Sequence, residues 1–250
     1  MNIRTVIPIL LLVLVPLTGQ AAKKKQPLTV EVSPSSGGLP LVTATASNAP
    51  LGEIAERLEK KLATKIDVSA AARDLRVTTE LDRQPLDLTL RELAPQAYLD
   101  GILSGGGAGK TAILIIHLRT AGEPAPAMAE LKKRFSEVFM FSGNTEDPNI
   151  DPSEGKLDVT WRNGRLRVFG KKQPLSVVVA RIAEELGIPF ELIGDSREVI
   201  DVAVTDATLE QAMSALTPSV KLYYRKNLAT FGMTPVRLVL EEPFPGEVTR

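Results

Sequence analysis

The chain contains no cysteine, and that one absence removes disulfides, thiolate nucleophiles and cysteine-ligated metals together. Stability therefore has to come from packed apolar cores. Histidine occurs once, at His117, so a three-histidine zinc site is excluded. No charge of one sign dominates: Lys+Arg and Asp+Glu are both 30, the formal net charge is zero, and no global field draws in nucleic acid. Beyond the N-terminus no apolar run reaches the roughly 20 residues that a membrane helix needs, so no transmembrane segment is expected in the mature chain. There is also no long series of alternating strands with aromatic girdles, the mark of an outer-membrane barrel. A soluble protein is the expectation.

What is present begins with an export signal. Met1-Asn2-Ile3-Arg4 is followed by an apolar stretch from Val6 to Leu17 and then by Gly19-Gln20-Ala21-Ala22. This is the order of a charged n-region, an h-region and a small-residue cleavage site. Pro8 and Pro16 bracket an apolar stretch too short to span a bilayer. Cleavage after Ala21 would leave Gly19 and Ala21 at the recognised positions, and with no cysteine following, a lipid anchor there is excluded. A periplasmic location is expected. Residues 22–40, with Lys23-Lys24-Lys25 and Ser33-Pro34-Ser35-Ser36-Gly37-Gly38, read as a flexible leader.

The rest of the chain repeats itself. Residues 48–62, NAPLGEIAERLEKKL, align without a gap on 172–186, KQPLSVVVARIAEEL, with Pro50 on Pro174, Arg57 on Arg181 and Leu62 on Leu186. Leu51, Ile54, Leu58 and Leu62 recur at helical spacing, as do Leu175, Val178, Ile182 and Leu186, so each segment predicts an amphipathic helix with one buried stripe. The prolines suit the first turn, where a missing N–H has no intrahelical partner, and Gly187 suits the end of the second helix. Further on, Val77–Leu81 matches Ile200–Val204 as β-branched strands, and Leu86, Leu90 and Leu93 match Leu209, Met213 and Leu216 as a second helix stopped by Pro95 or Pro218. Leu41–Ser47 and Leu166–Gly170 alternate as half-exposed strands ahead of the first helices. Each copy closes with a strand pair, Tyr98–Leu103 with Ala112–Leu118, and Leu222–Arg225 with Leu228–Met233 across Lys226-Asn227. Val236–Glu242 is a further strand candidate.

The expected fold class is α+β: two tandem small β-α-β-β-α-β-β modules joined by a partly structured linker. Residues 1–21 are assigned to the signal peptide, 41–119 to the first module, 120–160 to the linker with a short helix from Met128 to Val138, and 161–250 to the second module.

Gln173-Pro174-Leu175, Leu186-Gly187-Ile188-Pro189-Phe190, Val202-Ala203-Val204 and Ala207-Thr208-Leu209-Glu210-Gln211-Ala212, in this order, resemble the short N-terminal domain of secretins and TonB-dependent receptors. The first copy is recognisable mainly through the second: Lys65-Ile66-Asp67 stands where Pro189-Phe190-Glu191 would, and its Gly-rich turn is longer than the family's. The resemblance implies docking to other envelope proteins, in secretion or pilus machines or in TonB-linked signalling. No pore or barrel sequence follows the second copy, so a free-standing accessory is the expectation, with a secretin or TonB-system component as partner and self-association as a further option.

Catalytic signatures are poor. Ser104-Gly105-Gly106-Gly107-Ala108-Gly109-Lys110-Thr111 approaches a phosphate-binding loop, but Ser104 stands where that loop needs its first glycine and Ala112–Ile116 reads as a strand rather than a helix. His117 ends an apolar strand and reads as a strand residue. The acids at Glu184-Glu185, Asp195 and Glu241-Glu242, and those between Glu146 and Glu154, fall on solvated faces or loops, with nothing to pair them as a hydrolase would. No enzyme activity and no cofactor are expected. Candidate binding residues are Leu166 and Val168, on a strand that could serve as a sheet edge for a partner's strand, and Trp161, Tyr223 and Tyr224 as aromatic anchors, each also readable as ordinary strand packing. If the aromatics stack on sugars, the alternative is a cell-wall or glycan-binding protein; a carboxylate-dependent hydrolase whose acids converge only in the fold is the third option.

Overall fold

A computed structural model describes residues 28–35, 39–106, 111–128, 156–194 and 196–241. The signal peptide and the Met128–Val138 helix after its first residue lie outside them, as do Gly107–Lys110 of the Gly-rich turn. The protein is mixed α+β and mostly strand. Its first half runs β1 (Thr29–Ser33), β2 (Leu41–Pro50), α1 (Leu51–Leu62), β3 (Lys65–Val68), α2 (Ala70–Arg73), β4 (Arg76–Pro85), α3 (Leu86–Leu93), β5 (Gln96–Ser104) and β6 (Thr111–Arg119). Its second half runs β7 (Asp158–Arg162), β8 (Arg165–Pro174), α4 (Leu175–Leu186), β9 (Phe190–Ile193), β10 (Val199–Ala207), α5 (Leu209–Ser214), β11 (Val220–Asn227) and β12 (Met233–Glu241).

The first helix of each half leaves its strand without a loop. Pro50 and Pro174 are extended cap residues. The first exposed donor of each helix is satisfied from a distance, Leu51 N–H by the Leu75 carbonyl and Leu175 N–H by the Glu198 carbonyl, both at 2.8 Å. Both helices end on a left-handed residue, Ala63 (φ 51) and Gly187 (φ 66). The apolar stripes then go to the core: Leu51, Ile54 and Leu58 are fully buried, as are Leu175 and Val178, with Ile182 at 2% exposure.

Three sheets arrange these helices. Two are three-stranded, β1-β2-β4 and β10-β8-β7, and the third is six-stranded, in the order β3-β6-β5-β11-β12-β9. The helices of each half touch one three-stranded sheet and the six-stranded one, so they fill the space between them. One continuous core cluster runs through both halves. The large sheet closes where β5 pairs antiparallel with β11, Ser104 opposite Lys221 through Tyr98 opposite Asn227. At mid-seam Gly101 faces Tyr224, and a Cβ on Gly101 would lie 3.0 Å from the Tyr224 Oη and 3.1 Å from the Ala112 carbonyl oxygen. Beyond the seam, the Gly105 N–H donates to the Val220 carbonyl and the Leu228 N–H to the Ala97 carbonyl, both at 2.9 Å. Each hairpin thus hooks onto the start of the other half's seam strand. Gly105 has no alternative, since a Cβ there would sit 2.1 Å from the Thr217 carbonyl oxygen.

Several expectations change. Part of the leader is structured, because β1 pairs in register with β2. Val30 supplies the reason: it is 7% exposed and joins the core. The final hairpin turns later than Lys226-Asn227 suggests. Asn227 Oδ1 accepts from the Ala229 and Thr230 N–H groups, Leu228 is buried, and the returning strand begins at Met233. Leu228–Met233 is therefore mostly turn, and the Val236–Glu242 candidate, whose last residue lies outside the described ones, falls from Val236 to Glu241 in β12, which pairs with β11.

Candidate functional site

The sequence-predicted binding residues do not meet at one surface. β8 lies between β7 and β10, and β2 between β1 and β4, so neither strand is the free edge that sheet extension requires. Leu166 (2% exposed) and Val168 (1%) point into the core instead. β1 and β7, which fall in the expected leader and at the end of the expected linker, cover the flank of each strand that the periodicity left open. Tyr223 and Tyr224 are buried, whereas Trp161 is half-buried against the core cluster. A stacking surface for sugars would rest on Trp161 alone among the three. Tyr224 lies across Gly101, where burial pushes its phenol up to about 12. Tyr223 faces the other way, under the Arg237 guanidinium at 3.9 Å from the ring centroid.

The approach to a phosphate-binding loop resolves as a hairpin. β5 and β6 are antiparallel neighbours, so the loop between them is not the strand-to-helix crossover that cradles a nucleotide. Its first two glycines are used to pass the Thr217-Pro218 turn.

A cluster that the sequence did not single out lies on the face of the six-stranded sheet turned away from the helices. Strand register builds it. Asp67 on β3 is opposite His117 on β6, and Asp100 on β5 is opposite Arg225 on β11. The side chains link into one chain across four strands. Arg119 Nη2 lies 2.5 Å from Asp67 Oδ2, His117 Nδ1 3.1 Å from the same oxygen, and His117 Nε2 3.0 Å from Asp100 Oδ2. Arg225 then grips Asp100 with both ends of its fork, Nε to Oδ1 at 2.6 Å and Nη2 to Oδ2 at 2.7 Å. Asp100 is 1% exposed and Arg225 4%, so this last pair is nearly dry, and bidentate geometry is what makes such a pair tolerable. Burial pushes the Asp100 carboxyl up, but hydrogen bonds from Arg225 and His117 outweigh it and hold the group below its ordinary range. Asp67 is held low by the same balance, burial against Arg119 and His117.

The segment after β6 is tied over this array. Glu123 accepts from the Thr120 N–H, the Thr120 hydroxyl and the Ser69 hydroxyl, bonds that lower its carboxyl, with the Thr120 N–H first. Three residues later the Pro126 carbonyl accepts from Arg225, and Met128 packs on the apolar patch of Tyr223, Val236 and Val239.

Two signals could have found the array. Asp100 interrupts the apolar run Tyr98–Ile102, and Arg225 follows the paired tyrosines directly. A charge inside a strand that is apolar on both faces needs a partner. The partner's identity was hidden by sequence separation, 125 residues between Asp100 and Arg225.

Elsewhere a shallow groove of about 290 Å³ lies between β8 and β10, with Phe169 and Val202 in its wall and Lys156 and Lys171 among its charges. No cluster of three or more histidine or acidic residues suited to a metal occurs among the described residues, and no helix there is long and apolar enough to cross a membrane. Compared with known proteins, the chain matches no family model, no curated protein and no solved structure.

Proposed function

We propose that the protein is a non-enzymatic periplasmic adaptor built from two tandem β-α-β-β-α-β-β modules of the secretin/TonB short N-terminal type. Its partner is an envelope protein of the secretin or TonB-linked class, met by strand addition. The observation that carries the reading is a pair of matched long edges. β4 and β10 each end a three-stranded sheet, paired on one side only among the described residues. Each is bent by a bulge at a matched left-handed residue, Arg83 (φ 46) and Asp206 (φ 48), with Asn48 (φ 52) and Lys172 (φ 48) matched on the neighbouring strands. A free edge offers backbone donors and acceptors to an extended partner segment, while bulges limit indiscriminate pairing. Two such edges on one chain raise avidity through effective concentration.

The test places a photo-crosslinking residue at Glu80 or Ala203, exposed and matched on the two edges, with exposed Lys61 on α1 as the control. In intact envelopes Glu80 and Ala203 should capture the same envelope protein, and Lys61 should not. Capture of nothing at either edge, or equal capture at Lys61, removes the proposal.

A further inference from the structure

We propose that His117 is a proton-dependent clasp, which as imidazolium ties the Asp67 side chain of the edge strand β3 to the seam between the halves and, on losing its proton, loosens β3 and the Ser69 anchor of the Thr120–Met128 strap. The geometry carries this. Each ring nitrogen faces a carboxylate oxygen, Nδ1 facing Asp67 at 3.1 Å and Nε2 facing Asp100 at 3.0 Å. A carboxylate can only accept, so the ring satisfies both contacts only with a proton on each nitrogen. Neutral imidazole keeps one, and turns a lone pair toward the other carboxylate.

Which contact is given up follows from burial. The Asp100 side chain is 1% exposed and fixed by the Arg225 fork, so Nε2 keeps its proton. The Asp67 side chain is 43% exposed and can swing to solvent, leaving Arg119 as its remaining partner. The charged groups around the ring come from every neighbouring strand: Asp67 from β3, Asp100 from β5, Arg119 from β6 itself and Arg225 from β11. Glu123 lies beyond Arg119, and Tyr98 is opposite His117 on β5. With the imidazolium the three cations equal the three acids, Asp67, Asp100 and Glu123, and with the neutral ring one acid is in excess, so losing the proton removes a hydrogen bond and the balance of charge together.

Loosening reaches the strap because two of its polar anchors adjoin the array, while Met128 stays packed on the Tyr223 patch. β3 has four residues and pairs with a single strand, β6, with Glu59 of α1 accepting from the Ile66 N–H on its other side, and the Ser69 hydroxyl that holds Glu123 is two residues past Asp67. The other anchor, the Pro126 carbonyl, hangs on the Arg225 guanidinium that also holds Asp100. Loosening the Asp67 side chain therefore weakens the first anchor, whose strand stays paired to β6 and held by Arg119 Nη1 on the Asp67 carbonyl at 2.9 Å, and leaves the second. The edge of the six-stranded sheet then becomes the part of the molecule that responds to acidity, whichever partner binds elsewhere.

The sole histidine makes the experiment clean, since any imidazole signal belongs to His117. In the full chain, ring nitrogen spectra and amide hydrogen exchange are followed over roughly pH 5 to 9, the span in which imidazoles change charge. Both nitrogens should carry protons at the acid end. Loss of the Nδ1 proton should raise exchange in residues 65–69 and 120–128 by roughly tenfold relative to α4, beyond the ordinary base-catalysed rise. His117→Gln and Asp67→Asn should each abolish that step, and Asp67 is exposed enough for the second variant to fold. A step that persists in His117→Gln, a ring singly protonated at the acid end, or exchange that ignores the ring would overturn the clasp.

Discussion

The two faces of the six-stranded sheet follow different rules. Toward the helices, matched strand positions carry like residues: Ile66 and Phe190 on the edge strands, Ile116 and Leu238 beside them, then Leu118 and Leu240. On the outer face the same register pairs Asp67 with His117 in the first half and Glu191 with Val239 in the second. The second half makes its own arrangement, Arg237 Nη1 to Glu191 at 2.7 Å, where burial lowers the guanidinium despite the neighbouring acid. The helix-side layer is what both halves need in order to fold. On the outer face an acid of the edge strand meets an arginine in both halves, Asp67 with Arg119 and Glu191 with Arg237, but only the first half adds His117 and the buried Asp100.

The largest test of this contrast is at the seam. Arg225→Leu leaves Asp100 buried with its main partner gone, and breaking such a pair costs about 3–5 kcal/mol. Urea unfolding should place the single variants far below the parent, while the Asp100→Leu/Arg225→Leu pair recovers much of the loss. A double variant as weak as the singles would mean that the outer face is as indispensable as the inner one. Next come the matched cores: Leu58→Ala and Ile182→Ala should each cost about 2–5 kcal/mol and lie within about 1 kcal/mol of each other. A wide gap between them would break the equivalence of the helix-side layers.

Gly101→Ala is smaller, about 1–3 kcal/mol by overpacking against Tyr224, and its thermal transition should show it. Acid sensitivity follows in size. Asp67 and Asp100 are held below the ordinary carboxylate range in the folded chain, so their stabilisation is present above the unfolded value and disappears as pH falls through the folded one. Urea midpoints should drop with acidification and drop less in Asp67→Asn. Least of all is Arg181→Ala, which removes an exposed helix pair with Glu184 and Glu185 and should leave the urea midpoint almost where it was, with Arg57→Ala slightly larger because Arg57 also donates to the Leu28 carbonyl besides meeting Glu53.

The helix-side layer was legible because its period is local. Leu51, Ile54 and Leu58 declare a buried stripe within two turns, and Pro174 and Gly187 mark the ends of α4. Strand neighbours were less so. Alternation in Leu166–Val168 tells which side chains go inward but not whether a further strand lies on either flank, and that omission turned a central strand into an expected edge. The Asn227 turn failed for a chemical reason, its side chain capping two N–H groups and lengthening a loop that the dipeptide alone reads as tight. The ionic array was out of reach of local reading, because its register is set by a strand pairing between residues far apart in sequence.

That long-range pairing has a kinetic meaning. Bringing β11 to β5 closes a loop of 125 residues between Asp100 and Arg225, while every other strand pair among the described residues joins strands within one half. Closure entropy grows only slowly with loop length, yet it must be met before the seam contributes anything. Each half therefore has reason to gather its helices first, with the seam closing late. Substitutions there should quicken unfolding and leave the refolding rate nearly untouched. The reciprocal hooks at Gly105 and Leu228 then set how long the joined state lasts rather than how fast it is reached.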